Sequence, residues 1–324
     1  MRSKYNANNI KNILGNYGII FVLIALVIIF SSLSPRFLMT DNIFNILRQV
    51  SIVGIISVGM TFVMITGGID LSCGSIAGAA CVGAAILMTE YNMNPVLACV
   101  LMCILGVVIG IANAYFISYL SVPPFIATLG MMTSVRGIAY IVTGGLPVFG
   151  FNRAFTVLGQ GYIGVIPIPV IIMAIVFVIG YIFLSQTRVG RHIYGVGGNE
   201  EVARLSGVNV KKVKLLVYSV SGFMSALAGV VLLARINSGQ PNAGTGYEMD
   251  VITGVVLGGV SMSGGQGRIG MVIIGVMIMG ILTNGMTMLS INEYIQQFVK
   301  GLVLIGAVAF DNFIKSQRAK QIIG

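Results

Sequence analysis

Chemistry has few places to happen in this chain. The sequence offers one histidine (His192), nine carboxylates and four cysteines as bases, ligands or nucleophiles. None stands in a Gly-x-Ser-x-Gly, His-Glu-x-x-His or Gly-x-x-x-x-Gly-Lys-Ser/Thr setting. The glycine-rich run Ser263–Gly270, SGGQGRIG, lacks the Lys-Ser/Thr of a phosphate loop and reads as a tight turn between apolar segments. Cys73, Cys81, Cys99 and Cys103 all sit in apolar runs. Cys99 and Cys103, four apart, share a helix face, but two thiols with no His or carboxylate nearby make a poor metal site. All four are read as small packing residues. No catalysis, metal or cofactor of this chain's own is expected.

Interaction chemistry is concentrated instead in one long polar stretch, Arg188–Lys214 (RVGRHIYGVGGNEEVARLSGVNVKKVK). It carries Arg188, Arg191, Arg204, Lys211, Lys212 and Lys214 together with His192. Inside it Asn199 can cap a helix whose first turn, with Glu200 and Glu201, complements the helix dipole, and Gly207 can end it. That helix has about two turns, with Val202 and Leu205 on one side and Arg204 nearby. So short a helix is not stable in water alone. It needs something to pack on, either its own bundle or another protein.

The elements that position this stretch are membrane spans. Hydrophobic residues make up 56% of the chain and charged ones 9%, against about a quarter charged in a soluble domain. A spanning helix needs about 20 apolar residues. Candidate spans fall near 17–33, 44–66, 72–89, 96–120, 123–142, 166–186, 214–234, 249–264, 269–289 and 294–313. The expected fold is an all-α polytopic bundle of about ten transmembrane helices, one domain over 1–324. The first run, Tyr17–Leu33, is longer than a typical signal-peptide core. Threading from a cytoplasmic start leaves only Arg36, Arg48, Arg153 and Arg235 outside, with Arg136 and Lys300 within spans. Every other Lys and Arg, including Arg2, Lys4, Lys11, Arg268 and the tail's Lys315, Arg318 and Lys320, then falls inside, as the positive-inside rule requires. Charge placed at span ends fits membrane topology rather than nucleic acid. Outside lie the loops 144–164 and Arg235–Glu248, as connectors or as a docking surface.

Polar residues within spans are functional candidates, because charges in lipid are costly. Asp70 fits a helix N-cap or a place on the pathway. Asn113 and Asn284 would bond across helices or to a solute in transit. Gln296 and Gln297 stand at the outer end of the last span and would line a mouth. Arg136 and Lys300 would be pore charges or would snorkel. A short internal match pairs Ile69–Gly78 with Met249–Gly258, sharing an Asp followed by Gly at four and eight residues. Asn113 and Gly130 share their spacing with Asn284 and Gly301. The two copies would enter the membrane from opposite faces, as the inverted repeats of transporters do.

Gly197–Ser219 (GGNEEVARLSGVNVKKVKLLVYS) resembles the coupling loop of carbohydrate-importing ABC transporter permeases, the ribose permease group in particular. ITGGIDLSCGS (Ile65–Ser75), SGQPNAGTGYEMDVI (Ser238–Ile252) and VLGGVSMSGGQGRIG (Val256–Gly270) resemble that group in order and spacing, so the likeness runs over about 15–313. It implies a bacterial inner-membrane subunit that works as a pair. The implied partners are an ATPase with two fused nucleotide-binding domains, which would use the ATP and magnesium, and an extracytoplasmic sugar-binding protein. By the same resemblance Gly198, Asn199, Glu200, Glu201, Arg204, Leu205 and Gly207 form the helix that enters a cleft on the ATPase. An ion-driven secondary transporter is the first alternative, though Asp70 lacks the neighbouring carboxylates such a protein uses. A non-transporting membrane scaffold is the second.

Overall fold

The computed structural model describes the backbone of residues 2–151 and 153–323 and the side chains of 18–151 and 154–312. The side chains of Arg2, Lys4, Lys11, Arg153, Lys315, Arg318 and Lys320 lie outside the described residues. Among those described, the regular structure is helical apart from one two-stranded hairpin and the isolated Val148–Gly239 bridge. In order come α1 (Arg2–Leu33), α2 (Thr40–Ile65), α3 (Cys73–Thr89), α4 (Pro95–Ser118) and α5 (Pro124–Thr143). Next come α6 (Arg153–Gln160), strands β1 (Tyr162–Ile163) and β2 (Ile166–Pro167), and α7 (Ile168–Gln186). Two short helices follow, α8 (Arg188–Gly198) and α9 (Glu200–Leu205). The chain closes with α10 (Val210–Ile236), α11 (Tyr247–Leu257), α12 (Ile269–Met288) and α13 (Glu293–Ile323).

Seven of these helices are long and apolar enough to cross a bilayer: α2, α4, α5, α7, α10, α12 and Glu293–Asn312 of α13. The shorter apolar helices Gly18–Leu33 and Cys73–Thr89 add to them. Helix α2 is buried at every residue from Val50 to Ile65, as a helix apolar all round must be. It packs on α7, α11 and α12, while α10 packs on α3 and α4. The α4–α10 contact is backbone to backbone. A Cβ on Gly106 would run into the Gly222 carbonyl, and one on Gly222 into that of Gly106. In lipid, such close approach supplies the dispersion contacts that hold helices together. Helices α5 and α13 turn Phe125, Ile138, Ile141, Phe298 and Leu302 outward, toward the hydrocarbon.

The span expected over 249–264 is corrected here. Helix α11 is only 11 residues long, about 16 Å, and ends where Gly258 and Gly259 leave helical geometry. Residues 258–268 then form a turn in which Gly259, Gly264 and Gly265 have φ of 79°, 83° and 72°. Hydropathy is blind to this because glycine counts as apolar while breaking the helix. The outer half of the same crossing is non-helical: Ser238–Gly246 runs down along α3, with Ser238 beside Cys81 and Gly244 against Gly74. Helix α3 mirrors it, its non-helical part (Gly67–Ser72) starting beside Ser263 of the 258–268 turn. The two broken crossings run in opposite directions.

Backbone without helical hydrogen bonds is tolerated at membrane depth only when protein satisfies it. Arg136 does so for the α11 crossing, donating to the Pro241 and Ala243 carbonyls at 2.9 and 2.6 Å. Lys300 pairs with Asp250 of α11 at 2.9 Å. Arg136 and Lys300 therefore neither stand free in a pore nor snorkel. Replacing Gly222 with Leu should part α4 from α10 and cost roughly 1–3 kcal/mol, read as a lower melting temperature in detergent. Leu at Gly130, which faces open space, should leave that temperature nearly unchanged. Equal losses would mean that the α4–α10 contact is not special.

Candidate functional site

The polar end of the bundle, expected to face the cytoplasm, is built from the polar stretch and two tight turns. Thr187 starts α8, its hydroxyl accepting the Gly190 N–H at 3.0 Å. Gly190, Ile193 and Val196 form the buried face, while Arg191 and His192 face outward. Helix α8 is fastened at its far end. The Tyr194 hydroxyl donates to the Gly267 carbonyl at 2.8 Å. Burial raises the pKa of this phenol, with the Arg268 charge pulling the other way, so it stays a donor at neutral pH. Gly265 donates its N–H to the Ile65 carbonyl at 2.8 Å, joining the end of α2 to the 258–268 turn. Gly197 sits against both: a Cβ there would strike the Ile65 oxygen and the Gly265 nitrogen. Only glycine fits at 197.

Asn199 separates the two short helices in extended backbone, and its side chain accepts the Val202 N–H at 3.0 Å. Gly207, at φ 84°, ends α9. The Gly207 and Val208 N–H groups return to the carbonyls of Arg204 and Ala203, each at 3.0 Å. This is the cap-to-glycine helix expected from Asn199 and Gly207. Ala203 is its buried contact. Glu200 reaches Lys214 of α10 at 2.8 Å, and Arg204 pairs with Glu201 at 2.6 Å. Val202 and Leu205 are left 57% and 78% exposed. They form an exposed aliphatic pair on a helix braced by its cap and by the Glu200–Lys214 pair. Gly198 lies exposed at the join between α8 and α9.

The intramembrane candidates fall into separate clusters. Asp70 has no exposed surface. It accepts from the Ser72 N–H (3.0 Å), the Ser72 hydroxyl (2.5 Å) and the Ser221 hydroxyl of α10 (2.7 Å). Asn113, also fully buried, donates to the Ser72 hydroxyl at 2.9 Å. These side chains tie the start of α3 to α4 and α10. Asn284 exchanges two 3.0 Å hydrogen bonds with Asn42, joining α12 to α2. Gln296 donates to the Ile291 carbonyl at 2.9 Å and stabilises the α12–α13 turn, while Gln297 is exposed. Among the described residues, no three His, Cys, Asp or Glu side chains gather as metal ligands. Sequence reasoning missed α8. Val189, Ile193 and Val196 behind a Thr cap were its signal, diluted by Gly190, Gly195, Gly197 and Gly198.

Residues 42–308 match a family described as "Branched-chain amino acid transport system / permease component". The chain belongs to this permease family. Among its relatives, the ribose import permease protein RbsC of Escherichia coli (strain K12) is 45% identical over 298 residues, covering 90% of this chain and 92% of its own. RbsC of Bacillus subtilis (strain 168) is 46% identical over 291 residues, covering 89% and 90%. The galactose/methyl galactoside import permease protein MglC of Escherichia coli (strain K12) is 37% identical over 338 residues, covering 98% and 100%. No solved structure matches the chain. The permease is thus a multi-pass membrane transport subunit of inner-membrane type.

Removing the cap by Asn199→Ala should loosen α9 by about 0.5–2 kcal/mol. Amide exchange at Ala203, Arg204 and Leu205 should quicken while α8 keeps its protection, and Asn199→Asp should restore the slow rate. Unchanged exchange in the Ala variant would show that the cap does not hold α9.

Proposed function

We propose that this permease is the membrane subunit of an ATP-driven importer of a monosaccharide, a ribose-type pentose or related sugar, and that α9 is where the motor engages. The observation that carries the reading is the exposed Val202–Leu205 face on a helix fixed at both ends. The similarity to ribose and galactoside import permeases supports the sugar class. The motor would be an ATPase with two nucleotide-binding domains, the permease would act as a pair, and an extracytoplasmic binding protein would deliver the sugar. The residues in contact with the ATPase would be Gly198, Asn199, Glu200, Glu201, Arg204, Leu205 and Gly207.

Coupling requires each ATPase state to prefer one conformation of the bundle. The chain provides two routes for that preference. Glu200 pulls on Lys214 at the foot of α10, and α8 bears on the end of α2 and on the 258–268 turn that leads into α11 and α12. We assign the broken crossings of α3 and α11 to the walls of the pathway, since discontinuous helices are where transporters change shape. Asp70 and Asn113 then act by holding the start of α3, Asn284 by holding α12 to α2, and Gln296 by shaping the outer turn.

Sugar uptake into proteoliposomes holding the permease, its ATPase and the binding protein should need ATP and be indifferent to a protonophore. Uptake without ATP that a protonophore abolishes would replace this reading with ion coupling. Leu205→Glu, Gly207→Leu and the double reversal Glu201→Lys/Arg204→Glu should each insert normally yet weaken ATPase capture roughly tenfold or more. Normal capture by all three would remove α9 from the interface.

A further inference from the structure

Behind α9, on the side away from Val202 and Leu205, lies an open cleft of about 370 Å³. Its walls come from the end of α4, the α4–α5 turn, α9 and the first turns of α10. The volume falls within the range of small-molecule sites, about 300–1,000 Å³. Charge within it is one-sided: Arg204, Lys211 and Lys214 line it, with Glu200 as the acid. The buried Ser118 hydroxyl, also in the lining, has no hydrogen-bond partner.

Two features fix where the cleft lies. Lys211 rests 4.5 Å from the centroid of the Tyr119 ring, which stacks on Tyr115. Tyrosines at the end of a membrane helix mark the level of the lipid headgroups. The first turn of α10, a 27-residue helix, opens into the same space and adds the positive end of its dipole. The internal partners offset only part of the charge: Glu200 holds Lys214 at 2.8 Å, whereas among the described residues no carboxylate pairs with Lys211. The Arg204–Glu201 pair is exposed on both sides, and such pairs contribute little and rearrange readily.

We propose that this cleft is a binding site for a phosphate group, carried either by an anionic lipid headgroup or by a small phosphorylated solute of the cytoplasm. Basic pockets between membrane helices on the cytoplasmic side suit such groups. Lys211 and Lys214 would make charge-assisted hydrogen bonds to the phosphate oxygens, and the Ser118 hydroxyl would complete them. An occupant would bridge α9 to the α4–α5 turn. The site rests on the cavity and its charges, and stands whether or not α9 engages an ATPase.

The test uses the full-length permease in nanodiscs, with amide exchange over 117–124 and 200–214 as the readout. In phosphatidylcholine discs, inorganic phosphate is titrated against chloride at matched ionic strength. In a second arm, phosphatidylglycerol replaces part of the lipid and no phosphate is added. One probe or both should slow exchange in the wild type: phosphate alone marks a soluble ligand, phosphatidylglycerol alone a headgroup. Lys211→Gln, and Lys211→Gln with Lys214→Gln, should weaken the response roughly tenfold or more. Lys212→Gln, whose lysine is absent from the lining, should respond like the wild type. No response to either probe would overturn the proposal, as would an undiminished response in the double variant or an equal loss in Lys212→Gln.

Discussion

Gly265 gives its backbone N–H to the Ile65 carbonyl at 2.8 Å, and Gly197 lies against that bond at a distance no larger residue allows. Three parts of the chain far apart in sequence meet there: the end of α2, the end of α8 and the turn between α11 and α12. Each belongs to a different layer of the molecule. Helix α2 is the most deeply buried of the seven long apolar helices, α8 lies at the polar end, and the turn leads from the short helix α11 into α12. A side chain at 197 would force them apart. The backbone contact ties these three parts together, which is what the proposed transmission of a displacement requires.

The membrane interior follows a complementary rule. Two crossings are only partly helical, and each has buried polar partners that make the irregular backbone tolerable. Ser238–Gly246 leans on Arg136, and α11 is tied to α13 by the Asp250–Lys300 pair. The start of α3 rests on Asp70, Ser72, Asn113 and Ser221. Buried ion pairs contribute little net stability but are costly to break on one side. Their value here is positional, since they set where each half-helix begins. The packed Gly106–Gly222 contact, by contrast, holds α4 and α10 as a fixed block. The molecule thus combines a firm frame with two interrupted elements whose ends are held by polar bonds.

Much of this was readable from residue types, and the boundary has physical causes. Helix α9 follows from Asn199, its two glutamates and Gly207, because caps are local chemistry. The long spans follow from unbroken apolar length. The crossing over 249–264 was misjudged because hydropathy sums composition and cannot see Gly258 and Gly259 end a helix. Helix α8 escaped notice because four glycines weaken its local preference, and tertiary contacts through Ile193, Tyr194 and Val196 supply what propensity lacks. Asp70, Asn113 and Asn284 could be picked out as unusual, and the Asp70–Ser72 bonds are local, but the partners that join helices, Ser221, Ser72 and Asn42, lie 151, 41 and 242 residues away. Such long-range pairings leave no local signature. Arg136 is the same case, its acceptors being carbonyls with no sequence identity to read.

The central claim is that, in the proposed assembly with an ATPase, α9 and the turn at 258–268 move as one body. Spin labels at Ser206 and Ser263, both exposed, measure it directly by electron–electron distance in the assembled transporter, without nucleotide and with ATP trapped. The Ser206–Ser263 distance within one copy should hold constant while the Ser206–Ser206 distance between the two copies changes. A Ser206–Ser263 distance that shifts with nucleotide while the copies keep their separation would show that the cytoplasmic end yields instead of transmitting, and would contradict the account.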